Sequence, residues 1–439
     1  MADISPFQGV RYNPSKIGDL AGVICPPYDV ISTEEQRALH ARNKHNFVRL
    51  EHGLTSGSDT PGDNKYTRAA ATLVQWLKQK ILKAEPSPAL YVHDHHFQHS
   101  GKSFVRRGLI ACVRLEEWNS GSIHPHETTL SRPRSDRMRL LQACKANLSP
   151  IWALYDDAGG QTAALLEAHT KGAPAIDLLT PEGERHVLWS VADEDVHRQV
   201  RAQFAGRSLY IADGHHRYET ALAYQKERLS AGRGATGDGD FNHVMVTLVD
   251  FADPGLVILP VHRLIKGLAP PVMAQMKQRL GQYFELSPLP VDRLAFPAGD
   301  GLPVPARRDS VEGAMAVAGL EPGKLFLLTW NANLAKVVAG HHSKPSARLA
   351  AVVFHDTVVE GILGCKGVED EEVVIDYTYD GRQAVEKVLK KEYQMAFLLE
   401  PVEASMIKAV GDAGDRMPGK TTYFHPKLPA GLVMRVIRD

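Results

Sequence analysis

Leu209-Tyr210-Ile211-Ala212 is a short apolar run that stops at Asp213-Gly214 and passes into a helical pattern carrying Tyr218, Ala221, Leu222 and Tyr224. A strand fed into a helix through one tight turn constrains the fold more than any other segment. It requires a sheet with helices packed on it, which excludes an all-helical bundle and an all-β sandwich. Strand-like and helical patterns alternate along the rest of the chain, so the class is mixed α/β (α+β). Ser32 to Asn43 opens with Ser32-x-x-Glu35, a capping box, and predicts a short helix. Lys65 to Leu82 sets Ala69, Ala70, Leu73, Trp76, Leu77 and Ile81 at helical spacing. Leu90 to Gln98 and Phe104 to Leu115 predict strands joined by a turn at Ser100-Gly101. Arg134 to Ala146 predicts a helix, and Ile151 to Tyr155 and Val244 to Val249 predict buried strands. Later come a strand at Leu325 to Trp330 and helices near Ala384 to Lys391 and Ala404 to Val410.

A chain of 439 residues has room for two to four domains or lobes. Ser230 to Asp240 is glycine-rich and predicts a loop, and the proline-rich stretch from Leu286 to Val304 predicts a lobe boundary. The expected organisation is an N-terminal α/β lobe over 1–118 and a core carrying the functional residues over 119–265. A Pro/Gly-rich connection over 266–310 and a C-terminal α/β lobe over 311–439 follow.

Lys+Arg and Asp+Glu both number 51, so the formal net charge is zero. That argues against a nucleic-acid coat and against a polybasic membrane anchor. No apolar run reaches the length of a membrane span, and Met1 to Pro6 has no signal-peptide character. Cys25, Cys112, Cys144 and Cys365 are scattered, with no C-x-x-C pair, which fits free thiols and a cytoplasmic location.

Two motif matches fail on context. Gly414-Asp415-Arg416-Met417-Pro418-Gly419-Lys420-Thr421 satisfies the P-loop pattern, but a helix-like segment precedes it and a strand-like segment follows. Gly232-x-Gly234-x-x-Gly237 satisfies the dinucleotide pattern, but it follows a helix and opens none. His93, His95, His96 and His99 resemble metal ligands. On a strand, however, His93 and His95 face away from His96, so a strand is the expectation and not a metal centre.

The chemistry concentrates in two places. In Asp213-Gly214-His215-His216-Arg217, Asp213 is placed to cap the following helix, whose amides and dipole then form an anion site. His215, His216 and Arg217 add donors and charge, and the planar fork of Arg217 suits phosphate. In His124-Pro125-His126-Glu127, a carboxylate beside a histidine at a turn can serve as a general base. Pro26-Pro27-Tyr28-Asp29 is a rigid extended turn that can place Asp29 in the cleft or simply shape the chain. Arg132, Arg134 and Arg137 are candidate partners for a substrate carboxylate.

The Pro-His-Glu turn ending at Glu127 and the Asp213-Gly214-His215-His216-Arg217 turn, with the strand ending Val249-Asp250 after them, resemble the ParB/sulfiredoxin superfamily and, locally, its free L-serine kinases. Over its whole length the chain resembles the domain-of-unknown-function family ten-fifteen, including Pro26-Pro27-Tyr28-Asp29-Val30-Ile31 and Arg416-Met417-Pro418. The resemblance implies a ParB/sulfiredoxin-like core with large N-terminal and C-terminal additions. It also implies a small-molecule kinase using Mg2+ with ATP or ADP on free L-serine or a similar hydroxy acid. Glu127, with His126 and Asp213, would then be catalytic. Gly214, His215, His216 and Arg217 would bind phosphate, and Arg137 and Asp29 the substrate. The expected partners are a nucleotide and a small-molecule substrate, with no nucleic acid and no membrane. Two other readings stand beside it: a ParB-like nucleotide-binding regulator without catalysis, and a metal-dependent hydrolase using His124, His126, Glu127, Asp213, His215 and His216.

Overall fold

The computed structural model describes residues 2–118, 121–128, 131–232, 239–290, 314–334, 342–365 and 373–438. They form a mixed α/β protein of two compact units. The first comprises Met1–Pro125, Thr129–Leu256 and Pro426–Asp439, and the second His126–Thr128 and Val257–His425.

The first unit is built on a large sheet. Its strand order is Ile123–His124, Leu209–Asp213, Ile151–Tyr155, His243–Asp250, Lys102–Arg114, Leu90–His99, Arg185–Val191 and Ile176–Leu179, with Ile4–Ser5 pairing Lys102–Arg114. Leu209–Asp213 runs parallel to Ile123–His124, and His243–Asp250 parallel to Ile151–Tyr155; the other pairs are antiparallel. Ile151–Tyr155 is buried at every position, as its unbroken apolar sequence requires of a strand covered on both faces. Ser100 and Gly101 both take positive φ, 51° and 74°, the conformation that a two-residue hairpin turn needs. The helix Thr33–Arg42 starts as expected, with Ser32 Oγ accepting from Glu35 N at 3.1 Å. The helices Ser131–Cys144 and His215–Ser230 pack together, and Leu141, Tyr224, Phe241 and Ile437 form a small apolar cluster beside them.

A second, four-stranded sheet orders Leu82–Ala84, Gly9–Tyr12, Met434–Val436 and Ala146–Asn147. It brings the end of the chain back beside its beginning. The partition therefore differs from the four consecutive segments expected. The span 1–118 and most of 119–265 share one sheet, and 426–439 joins them. Backbone pairing decides such a partition, and pairing between distant strands leaves no local mark in a sequence.

The second unit carries a six-stranded antiparallel sheet ordered Phe284–Pro290, Lys324–Trp330, Met315–Ala318, Met395–Leu399, His262–Lys266 and Val374–Thr378. Ala384 and Val385 of the helix Gly381–Leu389 pack on it with Leu264, Ala316, Leu325 and Leu398. The expected connection over 266–310 is therefore ordered in its first half, as the helix Pro270–Leu280 and the strand Phe284–Pro290. The four prolines among the described residues of 266–310 sit where secondary structure tolerates them. Pro270 and Pro271 lie in the first helical turn, and Pro288 and Pro290 lie on an edge strand. Residues 291–313 of that stretch, like 233–238 of the glycine-rich loop, lie outside the described residues. All four cysteines are free and buried. No described helix is long and apolar enough to cross a membrane.

Candidate functional site

The strand Leu209–Asp213 ends at Asp213, and Gly214 turns the chain into the helix His215–Ser230. The expected cap is corrected here. Gly214, not Asp213, is the N-cap residue. Gly214 takes φ 93°, and a Cβ there would lie 3.0 Å from the Arg217 guanidinium. Only glycine meets both conditions, the backbone angle and the close approach. The Asp213 carboxylate binds two cations. Oδ2 accepts from Arg217 Nη2 at 2.6 Å, and Oδ1 accepts from Lys427 Nζ. Arg217 Nη1 also donates to the carbonyl of Pro150. Burial works against the charge of Arg217, but Asp213, then Asp29, Tyr28 and Glu51, outweigh it and raise its pKa. Lys427 behaves alike: burial opposes its charge, Asp213 and Asp29 outweigh burial, and the pKa rises. The turn thus keeps two locked cations around one carboxylate at the positive end of a 16-residue helix. His215 is buried and His216 half-buried on the first helical turn.

Beneath the turn lies a second charged layer. Arg137, on the helix Ser131–Cys144, is buried with its guanidinium 3.9 Å from the centre of the Tyr28 ring. Its Nη1 donates to the Glu51 carbonyl at 3.0 Å, and its Nε and Nη2 donate to Asp136 Oδ2 at 3.0 and 2.5 Å. Burial opposes the charge of Arg137, but Glu51, Asp136 and Tyr28 hold its pKa above the usual range. Burial raises the Tyr28 phenol, while Arg137 and Arg217 pull it partly back. Asp29 and Arg137, the expected substrate residues, therefore lie in the electrostatic neighbourhood of Arg217. The side chains of Arg132 and Arg134 lie outside what is described.

Glu127 belongs to the second unit, where the P-loop look-alike wraps it. Glu127 Oε1 accepts from Thr421 N at 3.1 Å, Thr422 N at 2.8 Å and Thr422 Oγ1 at 2.7 Å, and Oε2 accepts from Lys420 N at 3.2 Å. Met417 N donates to the His126 carbonyl, and Thr128 N to the Met417 carbonyl. Because the Thr422 hydroxyl donates to Glu127, the buried His126 Nε2 is the donor to Thr422 Oγ1 at 2.9 Å. The loop follows the helix Ala404–Asp412 and leads to the strand Tyr423–His425, so no helix opens after Thr421. Its amides do hold an anion, and that anion is the protein's own carboxylate.

His93 and His95 are buried on one face, as the strand expectation requires; His93 stacks on both His95 and His186, and His95 lies tilted against His186. His95, Glu184 and His186 bring three donor atoms within 4.8 Å of one another. Arg106 Nη2 donates to His95 Nδ1 at 3.0 Å, which places the His95 proton on Nε2, facing Glu184 Oε2 at 2.8 Å. A metal would need that same Nε2 lone pair, so this geometry describes a hydrogen-bonded core. Outside the cluster, His124 Nε2 meets Ser208 Oγ at 3.2 Å and its ring stacks on Tyr210.

The sequence profile of a family described as protein of unknown function (DUF1015) matches residues 4–355. The chain belongs to that family. No curated protein matches this DUF1015 member. Among solved structures it is similar to a conserved hypothetical protein from Pyrococcus furiosus, at 14% identity and TM-score 0.34, over 71% of this chain and 92% of that one. A free serine kinase in complex with AMP matches at 13% identity and TM-score 0.34, over 71% and 89%. SbnI with C-terminal truncation from Staphylococcus aureus matches at 13% and 0.35, over 72% and 84%.

Two residues of the candidate site escaped the sequence reading. Lys427 is 214 positions from Asp213, and nothing near it marks it as functional. Glu51 ends the short helix Val48–Glu51 and looks like an ordinary surface acid, yet it is buried. A pairing of distant strands is the signal that would have found Lys427, and one sequence does not supply it.

Proposed function

We propose that this protein transfers phosphate from ATP or ADP to the hydroxyl of free L-serine or a similar small hydroxy acid. The observation that carries the reading is the Asp213-Gly214 turn. It ends a buried strand, opens a 16-residue helix, and holds Arg217 and Lys427 fixed and charged. Phosphoryl transfer asks mostly for positioning and for stabilisation of phosphate charge, which locked cations at a helix N-terminus supply. The Asp-Gly-His-x-Arg pattern of the turn supports the same reading. The proton-acceptor role goes to Glu127 on its chemistry: a carboxylate fixed in one orientation by amide and hydroxyl donors.

Mg2+ fits this turn poorly as a directly bound ion. Both oxygens of Asp213 already face a cation, and a hard divalent ion needs carboxylate oxygens of its own. The turn suits the phosphates, and any Mg2+ would arrive coordinated by the nucleotide.

Gly214→Val tests the reading. The branched side chain would have to take positive φ and press on the Arg217 guanidinium, at a local cost of roughly 1–3 kcal/mol. The protein should stay folded by circular dichroism and lose nucleotide binding by at least about tenfold, or roughly 1.4 kcal/mol. A folded variant that binds ATP and ADP like the wild type contradicts the proposal.

A further inference from the structure

A cavity of about 60 Å3 lies in the first unit between the helices Ser131–Cys144 and His215–Ser230. Its polar wall is Glu51, Arg137, Asn147, Ser149, Arg217 and Thr220. Five of these six are buried, and Arg217 nearly so. Such a concentration of charge in the interior is costly unless it is matched. Part of it is matched within the protein. Ser149 Oγ donates to Glu51 Oε1 at 2.9 Å, and Arg137 Nη1 stands 3.7 Å from the same oxygen. Two groups are not. Thr220 Oγ1 and Arg217 Nε are buried and have no hydrogen-bond partner among the described residues. Thr220 follows Arg217 by three positions, so the two project from one face of their helix. A buried hydroxyl and a buried guanidinium N–H without partners mark a place where something polar sits.

We propose that this cavity receives the head of a small α-amino acid, its ammonium and carboxylate together. The inference rests on the phosphotransferase reading and names how that reaction's acceptor is held. The size fits: at roughly 10–15 Å3 per water-sized group, the cavity takes about four to six such groups, a range that covers the heavy atoms of an α-ammonium, an α-carbon and a carboxylate. The charges fit as well. A lone anion would face the Glu51 carboxylate, and a lone cation would face two guanidinium groups. A zwitterion satisfies both. Its carboxylate takes the Arg217 Nε–H and the Thr220 hydroxyl proton, with Arg137 alongside, and its ammonium donates to Glu51. Arg217 spans the two halves of the site, with Nη2 on Asp213 of the phosphate turn and its side chain lining the cavity.

Calorimetric titration of L-serine into the full chain, with and without ADP, tests this independently of phosphate transfer. Glycerate lacks the amine and ethanolamine lacks the carboxylate, so both should bind at least about tenfold more weakly than L-serine. Thr220→Val keeps the shape and removes the partnerless hydroxyl. It should leave the melting temperature unchanged or raise it, and weaken L-serine binding by roughly three- to tenfold, the worth of one hydrogen bond. Glu51→Gln should weaken L-serine at least about tenfold and leave glycerate unchanged. L-serine binding that is absent from the wild type, or unaltered in Thr220→Val, overturns the proposal and leaves a cavity filled by water. If the wild type phosphorylates glycerate as well as serine, the kinase reading stands and the amino-acid pocket falls. If no acceptor is phosphorylated while the variants shift L-serine affinity as stated, the pocket stands and the kinase reading falls.

Discussion

Asp213 was expected at the N-cap position of a helix; Gly214 holds that position, Asp213 anchors two cations, and the reason is one residue long. Gly214 takes the left-handed conformation that moves the N-cap position past the aspartate. The composition of the turn was legible in the sequence, because an apolar strand, Asp-Gly and basic residues stand side by side. The geometry was not, since it depends on Lys427, which arrives with the C-terminal segment. Lys427→Met keeps the buried stem and removes the charge, so nucleotide affinity should fall by about tenfold or more while the fold persists. Equal affinity in a folded Lys427→Met would remove this residue from the site. Asp136 gives a prediction on pH. Burial alone would raise its pKa, but Arg137, Lys65 and Tyr66 outweigh burial and hold it well below the carboxylate range. Its folded value is below its unfolded one, so its contribution is complete above about pH 4 and is lost as pH falls toward the folded value. Thermal melts of Asp136→Asn should start lower at pH 7, by roughly 1–3 kcal/mol of stability, and the gap to wild type should narrow steadily as pH falls from about 4 to 2. Parallel curves for the two proteins would show that the carboxylate contributes nothing through its charge.

At the scale of elements, what was legible is what local periodicity writes. The hairpin about Ser100-Gly101, the capped helix after Ser32 and the buried strand at Ile151–Tyr155 each carry their own pattern. The strand Phe284–Pro290 did not, because prolines on an edge strand read like prolines in a connection. The Gly414 to Thr421 loop is instructive in the other direction. Its amides do cradle an anion, and the occupant is Glu127. Lys420→Ala leaves those backbone donors in place, so nucleotide affinity should stay within a few-fold; a loss near 100-fold, about 2.8 kcal/mol, would make the loop a phosphate site after all. Glu127→Gln is the sharper substitution. The new NH2 group must face amide donors, so the melting temperature should fall, and kcat should drop by roughly 10²–10⁴-fold while nucleotide affinity holds. A lowered melting temperature with an unchanged rate would leave Glu127 a purely structural role.

At the scale of the whole molecule, a DUF1015 chain with zero net charge and no described membrane-crossing helix presents its distinctive chemistry inside the fold. The mixed α/β class was legible from alternating patterns. The partition into units was not, because the last strand, Met434–Val436, pairs with Gly9–Tyr12 across nearly the full length of the sequence. That return delivers Lys427 to Asp213, so the site depends on the completed first unit. The central claim is phosphate transfer from a nucleotide to a small hydroxy acid. The most direct measurement is mass-spectrometric detection of product after incubating the wild type and Gly214→Val with ATP or ADP and L-serine. The account predicts phosphoserine from the wild type with at least one donor, and at least about tenfold less from Gly214→Val. Folded wild-type protein that phosphorylates neither L-serine nor any other hydroxy acid from either donor would contradict it.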